Sequence, residues 1–166
     1  QLSALSRESI GLEVLNSQPN LQHLSLTVKK DLLKAMKTIS FPANTYICRQ
    51  GSVGNTFYII TEGRCRVTIT EGNGSAREMK ALFPGDYFGE MALISADSVR
   101  VANVISSGFV QCLCLSRADF STMLSSAASA IMEQSLARQV ENLNSSKKKK
   151  RDRRRISGFN EDGVKS

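Results

Sequence analysis

One histidine, His23, in 166 residues rules out the multi-histidine metal centres that many small β-barrel enzymes carry. The four cysteines, Cys48, Cys65, Cys112 and Cys114, are not spaced as metal ligands. Cys112 and Cys114 stand two apart, so on a strand their thiols share one face, and buried thiols are the expected role for all four. No apolar run approaches the roughly 20 residues needed to cross a bilayer, and the start of the chain has no signal-peptide pattern. A soluble, intracellular and cytoplasmic protein without a membrane partner is expected. No catalytic dyad, triad or metal cluster emerges either, which argues against an enzyme.

The folded part also lacks net charge. Lys147 to Arg155 hold eight basic residues and one acid, which already equals the +7 of the whole chain. The remainder is neutral, so nothing in the globular part argues for a nucleic-acid partner. An apolar content of 41% is enough for one core, and beyond Asn144 the Ser, Lys and Arg composition cannot bury enough surface to fold alone. The expected organisation is a folded domain over residues 1–143 and a basic, disordered tail or linker over 144–166.

From Leu12 to Ile39, apolar residues at Leu21, Leu24, Leu26, Val28, Leu32, Leu33, Met36 and Ile39 recur at mostly helical spacing, with breaks at Pro19 and at Ser25–Thr27. From Phe41 the period shortens. Tyr46–Cys48, Thr56–Ile60, Cys65–Thr70, Glu78–Phe83, Val101–Ile105 and Val110–Leu115 read as short strands separated by glycine turns. After Arg117 the pattern is helical again, through Phe120, Met123 and Leu124, then Ile131 to Leu143, with a join at Ala127–Ala130. The fold class is therefore mainly β with flanking helices: an antiparallel β-sandwich or jelly roll, N-terminal helices and a C-terminal hinge helix pair.

Gly85 to Val104 carries the chemistry. Gly89 lets the backbone of Glu90, Met91 and Ala92 approach a ligand, and N–H groups at the start of a short helical run to Ile94 point outward there. Such donors suit an anion. Arg100, after a turn through Ala96, Asp97 and Ser98, returns to the same spot with a guanidinium that pairs two phosphate oxygens at once. Glu90 repels phosphate but accepts a hydroxyl, as a ribose 2′-OH would offer. A cyclic nucleotide holds both groups on one rigid body.

Phe88-Gly89-Glu90-Met91-Ala92-Leu93 followed by Arg100-Val101-Ala102 resembles the phosphate-binding cassette of cyclic-nucleotide-binding domains. Ile47, Gln50-Gly51, Gly54, Phe57-Tyr58-Ile59-Ile60 and Gly63 match the family's upstream run, and the resemblance covers roughly residues 10 to 143. It is nearest to the regulatory domains of cyclic-nucleotide-dependent protein kinases, although the Glu90-to-Arg100 spacing is one residue longer than in the kinase-type members. The resemblance implies a ligand site of Phe88, Gly89, Glu90, Met91, Ala92, Arg100, Val101 and Ala102, with no metal and no cofactor beyond the cyclic nucleotide. In the family a hydroxyl after the arginine reads guanine. Val101 has none, which favours cAMP over cGMP.

The resemblance further implies a sensor that regulates a kinase catalytic unit, in cis or in trans, by moving its C-terminal helix. An apolar residue there caps the base; Leu136 or Val140 could do so, or could simply pack on the barrel. Arg153-Arg154-Arg155-Ile156-Ser157 resembles a basophilic kinase site, with a solvated linker or nuclear-import patch as an equal reading. Two rivals stand beside the sensor: a degenerate domain that serves as scaffold or binds another purine ligand, and a catabolite-activator-type transcription regulator. For the second, no helix-turn-helix pattern follows the long helix.

Overall fold

The computed structural model describes residues 4–126 together with 137 and 141. Two helices come first, α1 (Ala4–Ser17) and α2 (Leu26–Ala35). Ser25 caps α2 by accepting the Val28 N–H at 3.3 Å. The buried Lys29 ties the two helices together, its Nζ donating to Asn16 Oδ1 at 2.9 Å and to the Gln22 carbonyl at 2.7 Å.

Six strands follow: β1 (Lys37–Phe41), β2 (Tyr46–Cys48), β3 (Thr56–Glu62), β4 (Cys65–Thr70), β5 (Ala76–Leu82) and β6 (Tyr87–Phe88). A one-turn helix α3 (Met91–Ile94), strands β7 (Asn103–Ser106) and β8 (Val110–Ser116), and a helix over 117–126 complete the described chain. The strands form two four-stranded antiparallel sheets, ordered β1-β8-β3-β6 and β2-β7-β4-β5. This is the expected sandwich with flanking helices. The first helix of the expected hinge pair is the one over 117–126; the second, apart from residues 137 and 141, lies outside the described residues, as do Leu136, Val140 and the tail 144–166.

Strand alternation decides how the layers stack. In β3, Phe57 and Ile59 face the helices while Tyr58 and Ile60 face the opposite sheet; in β8, Leu113 and Leu115 do the former and Val110, Cys112 and Cys114 the latter. The first sheet is thus covered on both faces, by α1, α2 and Phe120 on one side and by Cys48, Cys65, Val67, Leu82 and Val104 on the other. Val67 and Thr68 are both buried although adjacent, because the β4–β5 register shifts between them and a bulge turns Thr68 inward.

One boundary differs from the sequence pattern. Ile39, counted with the helical apolar series, lies in β1 and is 41% exposed. The helix stops at Ala35 because Met36 adopts an extended backbone (φ −66°, ψ 137°), and β-branched Thr38 and Ile39 then favour pairing with β8.

Candidate ligand-binding site

A cavity of about 740 Å³ opens between the two sheets at the β6–α3 turn. That volume lies in the range of small-molecule sites. Its floor is set by the turn at Phe83–Asp86, where the Asp86 carboxylate accepts the Phe83 N–H at 2.8 Å and Gly85 takes φ +92°. Ile60 fixes this turn to β3 from both sides, donating to the Asp86 carbonyl and accepting from Gly85 N–H, each at 2.9 Å. Gly89, at φ +80°, then swings the chain from β6 into α3.

Arg100 is delivered by a zipper between two loops. Its N–H donates to the Ser52 carbonyl at 2.8 Å, its carbonyl accepts from Gly51 at 2.7 Å, Gly54 N–H reaches the Ser98 carbonyl at 3.1 Å, and Val53 bridges Val99. The guanidinium lies directly against Gly54 and Gly89, in space that a Cβ at either glycine would fill. Nη2 donates to the Thr56 carbonyl at 2.7 Å. No acid forms a salt bridge with Arg100 among the described residues.

Two amides hold the Arg100 zipper to the sheet. Gln50 acts as a surrogate strand partner, its Oε1 accepting Thr70 N–H at 2.7 Å and its Nε2 donating to the Thr70 carbonyl at 3.1 Å. Asn103, only 7% exposed, accepts the Gln50 N–H at 2.9 Å and donates to Thr68 Oγ1 at 3.3 Å and Thr70 Oγ1 at 3.2 Å. Every polar atom of that buried amide is therefore used.

The predicted residues Phe88, Gly89, Glu90, Met91, Arg100, Val101 and Ala102 all line the cavity. Ala92 does not; it is fully buried behind them, and its N–H closes the turn onto the Gly89 carbonyl at 3.0 Å. Leu93 N–H likewise closes onto the Glu90 carbonyl at 3.1 Å. A cavity with Arg100 and Glu90 at one end and Val67, Leu82 and Val104 as apolar walls suits a ligand with an anion, a hydroxyl and a flat apolar body.

Comparison with known proteins agrees with that geometry. The family model described as the cyclic nucleotide-binding domain matches residues 38–127. The chain belongs to the cyclic nucleotide-binding domain family. It is 37% identical over 125 residues to the cGMP-dependent protein kinase, isozyme 1, of Drosophila melanogaster, covering 74% of this chain and 16% of that kinase. The regulatory domain of Toxoplasma gondii PKA, solved with cAMP, is 33% identical with a TM-score of 0.59, covering 80% of this chain and 51% of the other. The guanosine-bound regulatory subunit of a cAMP-independent protein kinase A from Trypanosoma cruzi is 27% identical with a TM-score of 0.57, covering 74% and 43%. The chain spans far less than two thirds of the length of the curated relatives it matches.

Within this cyclic nucleotide-binding domain the four thiols are all buried and unbridged. Burial pushes Cys65 up to about 11 and Cys114 up to about 12, and it raises Cys112 further. Cys48, which lines the cavity, is also raised by burial, with the Arg100 charge pulling the other way. All four remain protonated near neutral pH and act as small apolar fillers. No group of His, Cys, Asp and Glu among the described residues is arranged to hold a metal. No helix among them is long and apolar enough to cross a membrane.

One cavity residue and one supporting network were missed in the sequence. Lys80 on β5 lines the wall beside Val67 and Leu82, and the Asn103 network anchors the Arg100 loop. Lys80 sits in a strand that is exposed up to residue 80, so its polar type is what any exposed strand would carry. Asn103 was detectable in principle, as an amide inside a run of strand-forming residues.

Proposed function

We propose that residues 1–143 form a cyclic-nucleotide sensor that regulates a kinase catalytic unit, in the same polypeptide or another, with residues 144–166 as a basic linker. The observation that carries this reading is the convergence of Arg100 and Glu90 on one cavity beside the Gly89 turn. Arg100 binds the cyclic phosphate through a bidentate fork, and Glu90 accepts the ribose 2′-OH. The domain works by switching shape: the ligand shifts the C-terminal helix only as far as its affinity differs between the two arrangements. The match to the cyclic nucleotide-binding domain family supports a regulatory and not a catalytic part.

cAMP is the favoured ligand, because Val101 lines the cavity without a hydroxyl to meet the guanine edge. A second reading, cGMP, is favoured by Lys80. Its ammonium is a donor only, which complements guanine O6 and N7 and gives adenine N6 no acceptor.

Melting temperature measured against cAMP, cGMP, adenosine and guanosine tests both readings, since a ligand that prefers the native state must raise it. A larger shift with cAMP supports the adenine reading, and a larger shift with cGMP that is lost in Lys80→Ala supports the guanine one. No shift with either cyclic nucleotide, together with a shift by a nucleoside, would replace the sensor by the nucleoside-binding rival.

A further inference from the structure

Arg100 is a wall of two cavities. The second holds about 270 Å³ and is lined by Tyr46, Arg49, Ser52, Asn55, Tyr58 and Arg100, with Gly54 also on its wall. The arginine spans the boundary: its Nη1 lies against Gly89, which lines the larger cavity, and its Nε and Nη2 lie against Gly54, which lines the smaller. The smaller volume falls below the roughly 300–1,000 Å³ of sites for organic ligands. A small ion suits it better than a nucleotide does.

Charge decides which ion. None of the residues lining the smaller cavity is acidic, and two are arginines. Neither Arg49 nor Arg100 makes a salt bridge with an acid among the described residues. The Arg49 guanidinium stacks on the Tyr46 ring, 4.2 Å from its centroid, which holds the plane of its donors. Its backbone is pinned as well, because the Arg49 carbonyl accepts Ser52 Oγ–H at 2.6 Å and Ser52 N–H at 3.2 Å. Asn55 accepts the Thr56 hydroxyl on its Oδ1 at 2.9 Å, which leaves the amide nitrogen as its donor. Burial raises the Tyr58 hydroxyl above its ordinary value, so it too remains a protonated donor. Donors and positive charge without an acid are what an oxyanion requires.

We propose that Arg49 and Arg100, with Asn55 and Tyr58, form a second site, for a free phosphate-sized oxyanion, on the Gly54 side of the Arg100 guanidinium. The ion and a nucleotide phosphate on the Gly89 side then share one positive charge, and like charges on its two sides repel. The ion therefore antagonises the nucleotide, and by linkage the nucleotide weakens the ion by the same factor. The antagonism rests on the larger cavity being the cyclic-nucleotide site; the second site itself does not.

Inorganic phosphate is the probe. It is titrated into the ligand-free 166-residue chain near pH 6.5, against sodium chloride of equal ionic strength, while NMR follows the side-chain Nε–H signals of Arg49 and Arg100. Both signals are expected to move together and to saturate with one constant. Read on Arg100, that constant should rise roughly fivefold or more in Arg49→Gln, because half of the guanidinium pair is gone. Lys30→Gln, an equal loss of charge at an exposed position of α2, should leave it within about twofold. Movement of Arg100 alone would put phosphate in the larger cavity and overturn the second site. Shifts that never saturate, or equal losses in the two variants, overturn it too.

Calorimetry of cAMP or cGMP at rising phosphate reads the antagonism. Apparent nucleotide affinity is expected to fall roughly threefold further in the parent than in Arg49→Gln, a residue outside the larger cavity. An equal fall in both would mean simple displacement from one cavity and would overturn the antagonism. Absence of cyclic-nucleotide binding to the parent would strike the ligand reading alone, because the ligand-free titration judges the second site by itself.

Discussion

Arg100 donates its Nη2–H to the carbonyl oxygen of Thr56 at 2.7 Å, across 44 residues of chain. One of five guanidinium donors is thereby fixed to a strand end, and the flanking glycines leave room for the plane of the group. The side chain is placed before any ligand arrives. Little rotamer entropy remains to be lost on binding, which is how preorganisation raises affinity.

Arg100→Lys tests the fork. A lysine keeps the charge but offers a point donor, so affinity for cAMP or cGMP is expected to fall by about tenfold or more, with unchanged melting temperature of the free protein. Isothermal calorimetry checks it; unaltered affinity would remove Arg100 from the phosphate.

Gly54→Ala tests the slot. Gly54 is not in the left-handed region, and the atoms its Cβ would meet belong to the Arg100 guanidinium, a flexible side chain. The substitution is expected to evict the guanidinium with little backbone cost. Cyclic nucleotides should bind roughly tenfold more weakly, whereas a nucleoside without phosphate should be unaffected. Equal losses for both would mean that the variant distorts the whole cavity.

The sandwich was legible because its strands obey a period of two that the glycines punctuate, as Phe57 to Ile60 show when they split between two cores. The candidate site was legible for a different reason: its residues are contiguous in two short runs, so local sequence carried them. Ile39 misled because an apolar residue at helical spacing is also an apolar residue at strand spacing, and only the backbone of Met36 decides. Lys80 acts through a shared wall and Asn103 through hydrogen bonds to residues 33 to 53 positions away, and such pairings leave no periodic trace.

Asn103→Ala is expected to destabilise the fold by about 2–3 kcal/mol, because it leaves the Gln50 N–H and two threonine hydroxyls without their buried partner. Urea melts give the value. The loss should extend to ligand affinity, since the Gln50–Gly51 segment carries the Arg100 zipper. A loss under 1 kcal/mol would show that water replaces the amide.

Stability should fall on the alkaline side. Each thiol titrates near 9.0 when unfolded, whereas burial holds Cys65 at about 11 and Cys114 at about 12 in the fold. Between pH 9 and 12 the unfolded chain has released protons that the native chain retains, so stability declines as pH rises through that window and is fully present below it. Urea midpoints at pH 8 and pH 10 measure the decline, and Cys65→Ala should lessen it by the share of one thiol, since Cys112 and Cys114 remain buried. A midpoint constant over that range would contradict the burial of these thiols.

Glu90→Ala separates the two ends of the ligand. Glu90 lines the cavity with Arg100, and its side chain makes no capping hydrogen bond to α3, so it is available to a ligand hydroxyl and its removal leaves the turn intact. A hydroxyl bonded to a carboxylate contributes about 1.5–3 kcal/mol, so cAMP affinity is expected to drop roughly 10- to 100-fold. The 2′-deoxy analogue has no such hydroxyl and should bind parent and variant alike. The difference between the two ligands isolates the hydroxyl bond, because the repulsion between the carboxylate and the phosphate is common to both. An equal drop for both ligands would place Glu90 in support of the loop and leave the ribose without its acceptor. An equal gain would mean that carboxylate–phosphate repulsion outweighs the hydroxyl contact, which would sink the assignment.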